Sequence, residues 1–194
     1  MTTNKIIPVA VIVVIVLVII GGGYFVFFQD NGENAKNIFS SKTFDKEVSE
    51  LIFDLTELPE GFQIAERTPR LKSDVSEEGI NLGWKEGYLI KYTKGEGIFD
   101  ISVIELYTSR YPVENISKVI EPVQQIEGYL FEELPNPNIG ETSIAIRYTD
   151  DEFGLRTYWI QFTKKDIYVS LTMSGTATDY ELIKELAKKM ETKI

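Results

Sequence analysis

Side chains able to do chemistry are unevenly supplied in this 194-residue chain, which has no histidine and no cysteine. The commonest general base, the commonest neutral metal ligand and the thiol nucleophile are therefore missing. With them go Ser-His-Asp and Cys-His catalysis, zinc sites of ordinary type, disulfides and haem held by histidine. Carboxylates, lysines, tyrosines and serines remain, none in a recognisable catalytic motif, and nothing calls for a cofactor. The densest carboxylate group is Asp150, Asp151 and Glu152. Carboxylate oxygens suit a hard cation such as calcium, yet three consecutive acids seldom converge unaided, so a solvated turn is the simpler account. The Asp30-Asn31-Gly32-Glu33-Asn34 stretch lacks the alternate ligand spacing of an EF-hand loop. Glu105 stands in phase with Val103 and Tyr107; buried, it would have a raised pKa and could act as an acid. The same strand can instead bury Ile104 and Leu106, leaving Glu105 exposed or paired. Asn115-Ile116-Ser117 is a glycosylation sequon, of a kind that chance alone supplies in a chain this long.

Binding chemistry is better represented than catalytic chemistry. Trp159, Arg147, Tyr168 and Gln161 combine large aromatic surface with hydrogen-bonding groups, and Trp and Arg are enriched at binding hot spots. Their placement depends on three strands. Residues 143–149, 155–163 and 167–174 alternate as a meander. A two-residue turn at Lys165-Asp166 sets Phe162 against Val169, Ile160 against Leu171 and Tyr158 against Met173. A loop at residues 150–154 sets Ile146 against Tyr158 and Ile144 against Ile160. Both registers turn the same residues of the central strand inward. The opposite face then carries Ala145, Arg147, Trp159, Gln161, Tyr168 and Ser170, with small Ala145 opposite the indole. That face is the preferred interaction surface unless a further helix covers it.

Around the meander the periodicity predicts a helix from Ser41 or Thr43, with Phe44, Val48, Leu51, Ile52 and Leu55 on one face. An extended stretch at residues 62–68 and a loop at 69–83 follow. Strands at 88–93 and from about Ile98 to Thr108 form a hairpin around Lys94-Gly95-Glu96-Gly97. A helix opening at Pro112 buries Ile116, Val119 and Ile120, and a further strand runs over 128–134. The closing helix starts near Asp179 with Thr178 and Glu181 as a capping box, and presents Tyr180, Ile183, Leu186, Ala187, Met190 and Ile194. The predicted class is α+β: an antiparallel sheet of about six to seven strands packed with helices, preceded by one N-terminal transmembrane helix.

The IGETS turn before the meander, the strand pair around Phe162-Thr163-Lys164-Lys165-Asp166 and the closing amphipathic helix resemble the Mog1/PsbP-like group of α+β domains over residues 55–194. That resemblance implies an accessory or binding module rather than an enzyme, and carries over no functional residue.

Residues 6–28 contain no charge and, as a helix, reach roughly 34 Å, enough to cross a bilayer core. The run is longer than the apolar core of a cleaved signal, and no small residue after Lys5 makes a clean pilin-like processing site. Residues 1–28 are thus predicted to be a signal anchor, 29–42 a linker of roughly 20 Å, and 43–194 one soluble domain. Lys5 precedes the run and Asp30 and Glu33 follow it, which places the domain outside the cytoplasm of a single-pass membrane protein. Beyond Lys5 the chain has 19 basic and 30 acidic residues, a balance that repels phosphate backbones and excludes nucleic acid as a partner. The expected function is a non-catalytic binding or accessory module of the cell envelope, with the membrane and an envelope protein as partners. Two alternatives stay open: a carboxylate-dependent envelope hydrolase, and a structural subunit of a filament or membrane oligomer.

Overall fold

The structure, a computed structural model, describes residues 43–95, 101–120, 129–150 and 155–194. These residues form one antiparallel sheet: β1 Gln63–Pro69, β2 Glu86–Lys94, β3 Ser102–Arg110, β4 Tyr129–Leu134, β5 Thr142–Asp150, β6 Arg156–Lys164 and β7 Ile167–Gly175. Their order across the sheet is β1-β2-β3-β7-β6-β5-β4. Two α-helices accompany it among the described residues, α1 Glu77–Asn81 and α2 Tyr180–Lys193. The α+β expectation of several helices layered on a sheet is thereby corrected, because the described fold is dominated by its sheet.

α2 covers one sheet face. Ile183, Leu186, Ala187 and Met190 recur at helical spacing and are fully buried against Tyr158, Ile160, Phe162, Val169, Leu171 and Met173. Burial of the three larger helix side chains contributes about 5 to 9 kcal/mol before entropy is subtracted. The helix is capped by Asp179, whose carboxylate accepts from the amides of Glu181 (2.9 Å) and Leu182 (3.3 Å). Thr178 was the expected cap, and the carboxylate one residue later takes its place.

The helix expected over residues 43–55 is absent. Short 3-10 turns at Val48–Glu50 and Leu55–Glu57 interrupt an extended strap instead. Its backbone is satisfied from outside. Arg110 donates to the carbonyls of Phe44 and Lys46, Thr108 to that of Val48, Lys193 to that of Ile52 and Tyr92 to that of Phe53. Only isolated 3-10 turns close beside these bonds, the Val48 carbonyl accepting both from Thr108 and from the Leu51 amide (3.1 Å). Phe44, Val48 and Leu51 still enter the core as expected, joined by Phe53 and Leu58, while Leu55 stays exposed.

The helix expected from Pro112 reduces to one 3-10 turn, Ile116–Lys118, with Ile116 buried in the turn and Val119 buried just after it, three positions apart. The β2–β3 pairing closes at Lys94 and Ser102, so the second strand begins after Ile98, and residues 96–100 lie outside the described residues. No helix among the described residues is long and apolar enough to cross a membrane. The expected span at 6–28 and linker at 29–42 lie outside the described residues.

The β6–β7 register agrees with the two-residue turn: Phe162 faces Val169, Ile160 faces Leu171 and Tyr158 faces Met173. Lys165 supplies the left-handed turn residue, at φ 56°. The β5–β6 register differs from expectation by one residue. The Asp150 amide donates to the Leu155 carbonyl (2.8 Å), so the connection is residues 151–154 rather than 150–154. Ala145 now faces Ile160 and Arg147 faces Tyr158. A slip of one turns every β5 side chain to the other face.

Candidate functional site

On the face away from α2, cross-strand partners build one row from edge to edge: Glu66, Lys91, Glu105, Thr172, Trp159, Ile146 and Glu133. Trp159 lies next to its central residue, Thr172, and is half-buried, with Nε1 donating to Ser170 Oγ (2.8 Å). Ser170 belongs to the neighbouring row with Gln161 and Tyr107, so the bond fixes the indole across two rows. Tyr168 and Gln161 occupy the same face and are joined directly, the Tyr168 hydroxyl donating to Gln161 Oε1 (2.8 Å).

Three of the four residues read from the sequence as binding candidates, Trp159, Tyr168 and Gln161, therefore come together. Arg147 does not join them. The one-residue shift of β5 puts it on the α2 face, paired with Glu132 of β4. Ala145, expected opposite the indole, is buried in the core, and Ile146 takes its place against Trp159.

Toward β2 the row becomes ionic. Lys91 Nζ lies 2.9 Å from Glu105 Oε1 and 3.9 Å from Glu66 Oε2. Glu105 is 3 % exposed and Lys91 9 %. Burial pushes the Glu105 carboxyl above the ordinary range, and the hydrogen bond and charge of Lys91 recover only part of that cost. Glu105 is thus both buried and paired, while Ile104 and Leu106 of the same strand are buried on the other face.

A second cluster covers one end of this face. Tyr111, Ile116, Val119 and Tyr168 are buried together, with Leu82, Trp84, Tyr107 and Ile120 packed around them. Trp84 Nε1 donates to the Tyr107 hydroxyl (3.1 Å), and the Arg70 guanidinium stands 5.5 Å from the centre of the Tyr107 ring. Ser76 caps α1 by accepting from the Gly79 amide (3.1 Å), which starts the short helix that leads into Trp84. Asn115, the sequon residue, is half-buried, and its Nδ2 donates to the Leu82 carbonyl (3.0 Å), tying α1 to the 3-10 turn.

Sequence reading passed over Lys91, Arg70 and Trp84 as site residues. A signal for the first was present: a hairpin that pairs residues 88–93 with 103–108 places a lysine opposite a glutamate in mid-strand. Arg70 stood in the stretch read as loop, 69–83, and Trp84 between it and the strand expected from 88, so neither carried a periodic signal. Asp150 closes the β5–β6 hairpin, while Asp151 and Glu152 lie outside the described residues. No group of three or more metal-ligating side chains occurs among the described residues.

No protein-family model matches the chain, and no curated protein matches its sequence. Its fold is similar to the crystal structure of the extracellular domain of PknH from Mycobacterium tuberculosis, with a TM-score of 0.56 and 7 % identity. The match covers 76 % of this chain and 95 % of that one, and at this identity the likeness concerns the fold alone.

Proposed function

We propose that residues 43–194 are a non-catalytic extracytoplasmic binding or accessory module, attached to a membrane through the apolar run at residues 6–28, whose partner is a protein that docks on the Trp159 face. The observation that carries this reading is the row that runs through Trp159. A half-buried indole is fixed there by Ser170, with Ile146 of β5 on one side and, toward β7, β3 and β2 on the other, the Tyr168 and Tyr107 rings and the Lys91–Glu105 ion pair. Ile146, Gln161, Thr172 and Ser170 are buried around the indole, so Trp159 is the part of the row that a partner reaches, and a partly exposed aromatic ring held rigid by a hydrogen bond suits protein recognition. Likeness in fold to a domain described as extracellular supports the location, as does Lys5 ahead of the apolar run with Asp30 and Glu33 behind it.

The reading is tested by affinity purification of the full chain from native membranes. Trp159→Ala is expected to lose at least one partner that the wild type retains, and Arg147→Ala, on the opposite face, to keep it. Retention of every partner by a folded Trp159→Ala protein would overturn the assignment of the face.

A further inference from the structure

Arg110 and Tyr111 are consecutive residues at the end of β3, and they serve opposite sides of the sheet, as neighbours along an extended chain do. Arg110 holds the strap. Its Nη1 donates to the Phe44 carbonyl (2.7 Å) and to Asp166 Oδ2 (2.8 Å), its Nη2 to the Lys46 carbonyl (2.6 Å), and its Nε to Glu86 Oε1 (2.6 Å). Asp166, 1 % exposed in the β6–β7 turn, accepts the Phe44 amide on its other carboxylate oxygen (2.7 Å).

The carbonyl of the same Asp166 accepts the Tyr111 amide (3.0 Å). Tyr111 meets Tyr168 edge to face at 6.5 Å, Tyr168 meets Tyr107 at 6.1 Å, and the Tyr168 hydroxyl reaches Gln161. One buried aspartate thus bonds the entry of the strap with its side chain and the aromatic cover with its backbone.

We infer that Arg110 and Asp166 form a latch through which the strap at residues 43–58 and the aromatic cover of the Trp159 face loosen and tighten together. The backbone of the strap is held by side chains reaching its carbonyls rather than by a strand ladder, while Phe44, Val48, Leu51, Phe53 and Leu58 seat it in the core, so the loosening inferred is a local opening and not a release. The latch stands on these contacts alone, while its use in linking membrane attachment to the Trp159 face rests on the proposed function.

Hydrogen exchange on the full chain tests the coupling from both ends. Arg110→Lys keeps the charge but loses the planar fork. It is expected to speed exchange of amides 44–54 about tenfold, with a clear rise also at 79–84 and 111–119, and no change in β5. Tyr168→Phe removes one hydroxyl far from the strap, and by reciprocity is expected to speed exchange of amides 44–54 as well. The inference is overturned if Arg110→Lys loosens the strap while 111–119 keeps wild-type rates, or if Tyr168→Phe leaves 44–54 unchanged. A uniform rise that includes β5 in both variants would also overturn it, by showing one cooperative unit without a latch. Partner loss in Trp159→Ala with no coupling in these variants would leave the proposed function and remove only the latch.

Discussion

Lys91 and Glu105 face each other across the β2–β3 hairpin, 2.9 Å from nitrogen to oxygen, on the sheet face that α2 leaves to the Trp159 row. Both are buried, so each charge depends on the other. Removing only the lysine strands a carboxylate in the sheet: Lys91→Met is expected to lower unfolding free energy by about 3 to 5 kcal/mol, and Lys91→Met with Glu105→Leu to recover most of it. Urea unfolding of the two variants and the parent measures this.

The same pair sets a pH dependence. Burial raises the Glu105 carboxyl above its ordinary value of 4.5, so the folded chain holds that proton more tightly than the unfolded chain. Its contribution to stability is complete below 4.5 and is lost as pH rises through the raised value. The stability of the wild type relative to Glu105→Gln should therefore decline as pH climbs above 4.5 and through the raised value. A difference that grows over this range would show the carboxyl to be shifted the other way.

Tyr92 tests how the strap is held. Its hydroxyl donates to the Phe53 carbonyl (2.7 Å) and accepts from the Phe53 amide (2.9 Å), and burial pushes it up to about 12 from an ordinary 10.0. Tyr92→Phe leaves two buried backbone groups without partners and should cost about 1 to 3 kcal/mol at neutral pH. Because the folded value is raised, this tyrosine's contribution is complete below pH 10 and is lost toward pH 12. Alkaline denaturation curves of wild type and Tyr92→Phe should converge over that interval.

The start of α2 gives a fourth comparison. Asp179→Ala removes the acceptor for two amides and should cost about 1 kcal/mol, whereas Thr178→Ala should stay within about 0.5 kcal/mol of the parent. Thermal melts of the two variants separate the capping residue from its neighbour.

These residues also show where sequence patterning was sufficient. β6 and β7 were legible because a two-residue turn at Lys165-Asp166 leaves one register, and Phe162, Ile160 and Tyr158 alternate with polar residues. β5 was not. Ile146 is as completely buried on the Trp159 face as Ala145 is on the α2 face, so hydrophobic alternation could not choose between registers one residue apart. The strap showed a helical spacing of apolar residues, but bonds from Arg110, Thr108, Tyr92 and Lys193, 39 to 141 positions away, decide its backbone. In the candidate site, the grouping of Trp159, Gln161 and Tyr168 was readable from β6 and β7 alone, and the misassigned Arg147 came from β5.

The separation of Trp159 and Arg147 onto opposite faces is therefore the most exposed part of the functional reading. Site-specific photo-crosslinking in intact cells, with the same photoreactive residue placed at position 159 in one variant and at position 147 in the other, measures it directly. The account predicts a discrete adduct to a partner protein from position 159 and none from position 147. The same adduct from position 147 alone, with position 159 silent, would contradict it.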